Sequence, residues 1–251
     1  MVDMVLCTKS RIGLAVKGTR TPDEWQSLFS RSEHIKIFEL SCFFDNEMTN
    51  IMKNLQEIKH AQKSRKIKIS IHGPPIINIK SGCASYTFAN SLKGLSIIIN
   101  QLRPEWITVH GLTFEKELTK NENFYWLKNL QHSILGLPKN IKRLLYMENG
   151  FNKIFPITPE EFRHINTKLI LDTSHAFLSG NQERITEFIQ IYHPKHFHIS
   201  DANKTIGHLA IGEGLIDFSF IKKTNATFII ETNTSISESR TLSALLGFLE
   251  K

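Results

Sequence analysis

Residues 196–201 read His-Phe-His-Ile-Ser-Asp, and His208 follows just before Gly212-Glu213-Gly214. A short apolar run ending in an imidazole and a carboxylate is metal-site chemistry, placed where a strand gives way to a loop. The pattern recurs along the chain. Runs 67–72 and 105–110 end in His72 and His110, and runs 143–148 and 226–231 end in Glu148 and Glu231. Run 168–172 ends in Asp172, with His175 three residues on. Imidazole nitrogen and carboxylate oxygen, without thiolates, suit Zn, Mn, Co or Mg. Glu148, Asp172 and Glu231 would offset the charge of a divalent ion and leave one negative charge over. With His198 they form a four-ligand set. His72, His110, His175 and His208 would complete it or build a second and a third metal position.

These residues need strands that deliver them to one place. Residues 5–16 and 35–40 supply two more apolar runs, which makes eight candidate strands. Helical stretches lie between them. Pro22 opens one at its first position, with Thr21 as N-cap. Ile51, Leu55 and Ile58 recur at helical spacing in 47–58, and 86–102, 121–135 and 183–191 also read as helices. Leu242, Leu245, Leu246 and Leu249 form the apolar stripe of a closing helix. Strands alternating with helices imply a parallel sheet, and eight such units imply a (β/α)₈ barrel. In that fold the active site sits at the C-terminal ends of the strands. Closure would gather His72, His110, Glu148, Asp172, His198 and Glu231 around one axis.

The 251 residues, 41% hydrophobic, suffice for one core, and residues 1–251 read as a single domain. Three scattered cysteines, Cys7, Cys42 and Cys83, argue against a disulfide framework or a thiolate zinc site. A cytoplasmic location is expected, since nothing reads as a signal peptide or a membrane span. The formal charge of +7 comes from scattered lysines, so it is read as surface charge and not as a nucleic-acid footprint. Histidines 34, 60, 132, 164, 193 and 196 are read as ordinary hydrogen-bonded polar groups. Glu213, between two glycines, is expected to shape its loop. Asp201 is expected to support His198 from behind.

The chain resembles the xylose isomerase-like TIM barrels over roughly residues 65–235. The resemblance rests on Ile-His72-Gly-Pro-Pro, Val-His110-Gly, Met-Glu148-Asn, Leu-Asp172-Thr-Ser-His175, His198-Ile-Ser-Asp201, His208-Leu-Ala-Ile-Gly-Glu-Gly and Ile-Ile-Glu231, in that order. Two branches of that superfamily bear on the site. Endonuclease IV-type enzymes resemble the chain through His72, His110, Glu148, Asp172, His175, His198, His208 and Glu231, which there hold three zinc ions. Ile206, however, stands where those enzymes have an aspartate ligand. Gly207 replaces an arginine, and Pro75 replaces an aromatic that enters the duplex. Sugar and sugar-phosphate isomerases and epimerases resemble it through Glu148, Asp172, His198 and Glu231, which there bind one ion.

The resemblance thus implies a divalent-metal-dependent isomerase or epimerase of a small sugar or sugar phosphate. Glu148 and Glu231 would exchange a proton on either face of a metal-bound ene-diolate. The alternatives are a zinc-dependent hydrolase at abasic DNA, of the AP endonuclease family 2 type, and a barrel that binds metal or ligand without turnover. Neither the substrate nor the oligomeric state is expressed in these motifs.

Overall fold

All eight apolar runs form strands, and in the computed structural model they close into a parallel barrel. The structure describes residues 11–18, 20–30, 35–79, 87–114, 120–151 and 155–250. The strands are β1 (Ile12–Val16), β2 (Ile37–Ser41), β3 (Lys68–His72), β4 (Ile107–Val109), β5 (Leu145–Glu148), β6 (Lys168–Asp172), β7 (His196–Ile199) and β8 (Thr227–Ile230). Each pairs with its sequence neighbours, and β1 closes on β8 with Leu14 opposite Ile230. α-Helices fill six of the seven connections, and the β7–β8 connection carries a short 3₁₀ helix, Ser219–Lys223.

The period of two along each strand sorts the side chains into two environments. Leu14, Phe38, Leu40, Ile69, Ile71, Val109, Met147, Leu171, Phe197 and Phe228 face outward and pack in one core with the helices. Burying each such side chain contributes roughly 1.5–3 kcal/mol. The inward set is different. Ile37, Trp106, Ile170 and Ile229 form a small separate cluster inside the barrel, with Ala15 and Tyr146 packed against it. Above that plug, the inward positions turn polar and ionisable.

Local chemistry explains most helix limits. At Thr21, Oγ1 accepts Glu24 N–H at 3.4 Å and Glu24 Oε2 accepts Thr21 N–H at 2.6 Å, which is the expected capped start. Thr87 Oγ1 accepts Asn90 N–H at 3.3 Å at the head of Phe88–Leu102. The single helix expected over 47–58 is instead two, Asp45–Lys53 and Leu55–Arg65. Asn54 stands at the break, and its Nδ2 donates to Asn50 O at 2.8 Å, in competition with the helical ladder. The stretch expected at 183–191 belongs to Thr173–Tyr192, two helical runs joined where Asn181 takes φ 57°. Cys42 is buried and has no disulfide partner among the described residues. Cys7, Cys83, His34, Tyr86 and the first part of run 5–16 lie outside the described residues. Among the described residues no helix is long and apolar enough to cross a membrane.

Candidate metal centre

Barrel closure brings the strand-end residues together around the axis. His72 ends β3, Glu148 ends β5, Asp172 ends β6, and His198 is the third residue of β7. His110 and Glu231 are the residues just after β4 and β8. Glu148 lies at the centre and is fully buried. Its Oε1 is 3.2 Å from His72 Nε2 and 2.8 Å from His198 Nδ1. Its Oε2 is 3.2 Å from His110 Nδ1 and 3.3 Å from His175 Nδ1. Glu231 Oε2 approaches His198 Nδ1 at 2.7 Å from the open side.

Among the described residues three groups of potential ligand atoms result, each within 4.8 Å: His72, Glu148, His198 and Glu231; His110, Glu148 and His175; and Asp172, His175 and His208. Asp172 therefore sits with His175 and His208, while His72 joins Glu148, His198 and Glu231. The cause is local. Asp172 is the N-cap of the helix that follows it, and its Oδ1 accepts His175 N–H at 2.7 Å and the Ser174 hydroxyl at 3.0 Å. Its Oδ2 is left buried without a hydrogen bond. Asn149 locks the same corner: its Oδ1 accepts Asp172 N–H at 2.6 Å, and its Nδ2 donates to Asp172 O at 3.2 Å.

The donor set fits a divalent ion. Two ligands bound to one ion at about 2.1 Å stand about 2.9–3.4 Å apart in tetrahedral or octahedral geometry. The nitrogen–oxygen separations around Glu148 are 2.8–3.3 Å. His72 Nε2, both Glu148 oxygens, His198 Nδ1 and Glu231 Oε2 are buried and make no hydrogen bond. Polar atoms so buried are costly unless something compensates them. A cation shared by these lone pairs would do so.

Electrostatics follow the same contacts. Burial pushes the Glu148 carboxyl up, but His110, His198 and His72 outweigh it and hold it well below the usual range. Burial likewise raises Glu231, and His198 overrides it and lowers it. Burial lowers His198, yet Glu39, Glu231 and Glu148 carry it well above its ordinary value. His175 is pulled down by burial and pushed up by Asp172 and Glu148, to about 9. His110 is depressed by burial to about 4.

Loop 201–216 presents the last ligand. Asp201 and Leu209 exchange backbone hydrogen bonds at 2.9 Å, which makes a short hairpin that lifts His208. His208 Nδ1 lies 3.2 Å from Glu231 O and 3.4 Å from Ser200 Oγ. The support expected from Asp201 to His198 is not what the structure contains. The Asp201 carboxylate instead accepts backbone N–H groups of Ala202, Gly212, Gly214 and Ile216 at 2.8–3.1 Å. The Gly-Glu-Gly spacing follows from that: Gly212 adopts φ 92°, and a Cβ on Gly214 would collide with Asp201 Oδ1. Glu213 shapes the loop as expected, pairing with Arg240 and accepting Ala210 N–H at 3.3 Å. Ile206 is 53% exposed at the hairpin turn and offers no donor.

One participant escaped the motif reading. Glu39, on β2, is fully buried among the site's histidines, with Oε1 2.7 Å from His198 Nε2 and 3.5 Å from His72 Nδ1. The available signal was a lone carboxylate inside Ile37-Phe38-Glu39-Leu40. His60, His132, His164 and His193 join none of the ligand groups among the described residues.

A cavity of about 350 Å³ opens over the centre at the C-terminal ends of β1, β2, β3 and β8. Its lining includes His72, His208, Glu231 and Glu39 of the cluster, together with Phe43, Phe44 and Lys17. Phe43 stacks near His110 at 5.8 Å and tilts against His72 at 4.7 Å.

No family model matches the chain, and no curated protein matches it. Solved structures do. A D-tagatose 3-epimerase-like protein superposes with a TM-score of 0.71 at 20% identity, covering 96% of this chain and 97% of that one. The fold is that of the xylose isomerase-like barrels. A 3-keto-D-glucoside 4-epimerase from E. coli gives a TM-score of 0.68 at 15% identity, covering 96% of this chain and 98% of that one. The IOLI protein, solved with a bound zinc atom, gives 0.66 at 14% identity, covering 96% and 95%.

Proposed function

We propose that this barrel is a divalent-metal-dependent enzyme that moves a proton on a small sugar or sugar phosphate, most simply an aldose–ketose isomerase. The observation that carries this is Glu231. Its side chain is 27% exposed and lines the cavity, and its Oε2 lies 2.7 Å from His198 Nδ1. It is thus a carboxylate that both borders the ligand cluster and faces the space a substrate would fill. Glu148, Glu231, His198 and His72 would hold the ion, with Asp172, His110, His175 and His208 available for others. Such an ion polarises a carbonyl and stabilises charge developing on its oxygen.

The remaining work falls to side chains of this chain. The Glu231 carboxylate would take a proton from the hydroxyl-bearing carbon beside the carbonyl and return it to the carbonyl carbon on the same face, while the hydroxyl proton passes to the former carbonyl oxygen. Glu148 has no exposure and is not among the cavity-lining residues described. We therefore assign ligation to Glu148 and the proton step to Glu231; epimerisation at a single carbon would need a second base on the opposite face. Same-face transfer by one base interconverts an aldose and a ketose. Phe43 and Phe44 would pack against the C–H edge of the sugar, and Lys17 would suit a phosphate at its far end. The sugar-acting fold relatives support this substrate class.

The test is a panel of aldoses, ketoses and their phosphates with metal-loaded protein in D₂O, following product as well as deuterium uptake. Aldose–ketose products lost in Glu231→Gln are expected. Epimers alone would move Glu148 or another group into the role of second base. Neither product nor exchange with any sugar would leave the binding-only barrel as the better reading.

A second reading draws on one specific observation. The two oxygens of Glu148 serve two different ligand groups, and His175 links the second group to the third. Shared carboxylates suit a multi-ion centre, and paired ions suit phosphodiester hydrolysis. Elemental analysis giving three zinc ions per chain, with incision of a labelled abasic duplex, would promote that reading. The lack of a donor at Ile206 predicts fewer ions and no efficient incision.

A further inference from the structure

Glu39 lies below the ligand groups, and its contacts divide cleanly between its two oxygens. Oε2 accepts hydrogen bonds from Trp106 Nε1 at 3.1 Å and Thr108 Oγ1 at 2.7 Å. Oε1 is 2.7 Å from His198 Nε2 and 3.5 Å from His72 Nδ1, and neither Oε1 nor His198 Nε2 makes a hydrogen bond of regular geometry among the described residues. On the other side of the same ring, Nδ1 faces Glu148 Oε1 at 2.8 Å and Glu231 Oε2 at 2.7 Å. A carboxylate thus stands at one ring nitrogen, and the candidate ion position stands at the other. Trp106 and Thr108 hold that carboxylate from the wall of the barrel, so its reach toward His198 is set by β4 and not by solvent.

We infer that Glu39 is a positioning residue that keeps the proton of His198 on Nε2, leaving the Nδ1 lone pair for the metal. The inference rests on the metal-dependent reading of the site. The reason is donor and acceptor bookkeeping. A neutral imidazole carries one N–H, and a carboxylate opposite Nε2 can only accept, so the proton settles there. Nδ1 then points its lone pair between Glu148 and Glu231, where a third acceptor is tolerable only with a cation. Partners behind a metal-bound histidine commonly shift metal affinity by on the order of 10–100-fold.

The same bookkeeping makes a sharp demand on Glu39→Gln. Trp106 and Thr108 both donate toward the Oε2 position, so the amide oxygen must sit there. The amide NH₂ then faces His198 and needs the Nε2 lone pair, which moves the proton to Nδ1, where the metal should bind. Glu39→Ala removes the same charge and acceptor but imposes no tautomer. The conservative replacement should therefore be the more harmful one.

Zinc affinity of wild type, Glu39→Gln and Glu39→Ala is measured by competition with a chromophoric chelator, and the tautomer of the His198 ring by two-bond ¹H–¹⁵N spectra of metal-free, histidine-labelled protein at a pH high enough for the ring to be neutral. Glu39→Gln is expected to bind zinc about 10–100-fold more weakly than wild type, and more weakly than Glu39→Ala, with the proton found on Nδ1. Equal affinity in all three proteins, or weakening in Glu39→Gln with Nε2 still protonated, would overturn the role of Glu39 while leaving the metal centre in place. A wild-type protein that binds no zinc, manganese or cobalt would overturn the metal-dependent function itself, a separate result.

Discussion

His196 and His198 sit two residues apart on β7, on the same face of the strand, yet they live in opposite worlds. His196 lies in the lower barrel, stacked on Trp106 at 4.0 Å with Tyr146 edge-on at 4.8 Å. Its buried Nδ1 has no hydrogen bond, and the ring faces are taken up by Trp106 and Tyr146. Burial depresses it to about 4, so it stays neutral and behaves as an aromatic plate. His198, one layer higher, is met by three carboxylates that carry it well above its usual value. The lower layer is built to fill space and the upper layer to hold charge. A strand passes from one to the other in about 7 Å, two residues of rise.

Experiments that set the two layers against each other differ in expected size. The largest effect belongs to the upper layer. Replacing Glu231 by Gln keeps shape but removes a base, so turnover should fall roughly 10² to 10⁴-fold while the metal-free protein still unfolds cooperatively. Chelation should cost at least as much. Retained turnover in Glu231→Gln would mean that the base lies elsewhere.

Next, stability and metal content should separate. Ile170→Ala, in the lower plug, should cost about 2–5 kcal/mol by urea unfolding and leave bound metal unchanged. Glu148→Ala should cost a comparable amount, about 3–5 kcal/mol, because it strips the carboxylate from four buried histidines, and should also abolish tight zinc binding. Loss of metal in Ile170→Ala would show that the layers are not independent.

The smallest effect is in pH dependence. A base whose pKa falls on folding binds fewer protons in the native state. His196 therefore costs nothing above its unfolded pKa near 6.5, and stability is lost as pH falls from there toward about 4. His196→Phe removes that loss. The stability gap between variant and wild type should shift in favour of the variant by about 1–2 kcal/mol between pH 7 and pH 5. A gap that does not move with pH would place the ring in a wetter setting than the stacking distances imply.

Much of this was legible in the chain. The strand ends His72, His110, Glu148, Asp172 and Glu231, with His198 near the end of its run, were visible because a polar residue closing an apolar run is a local feature. So were Thr21 and the Gly-Glu-Gly turn. Asn54 was not, because a single asparagine breaks a helix only when its side chain finds a backbone carbonyl. Asp201 was misassigned because three of its four backbone partners lie 11 to 15 residues downstream in a folded loop.

By itself, then, the sequence determined which residues face inward and which strands exist, since a period of two and apolar content are properties of short segments. Only the tertiary structure decided which inward residues share a height. Closing the barrel sets β2 beside β3 with Ser41 opposite His72, so Glu39 falls one inward step below the rim and beneath His198. It sets Asp172 opposite His198 on β6 and β7, but the helix start turns the Asp172 carboxylate toward His175. Register and capping act between segments, and a ligand group is defined by distances between segments. That is why the donors could be read from the chain and their grouping could not.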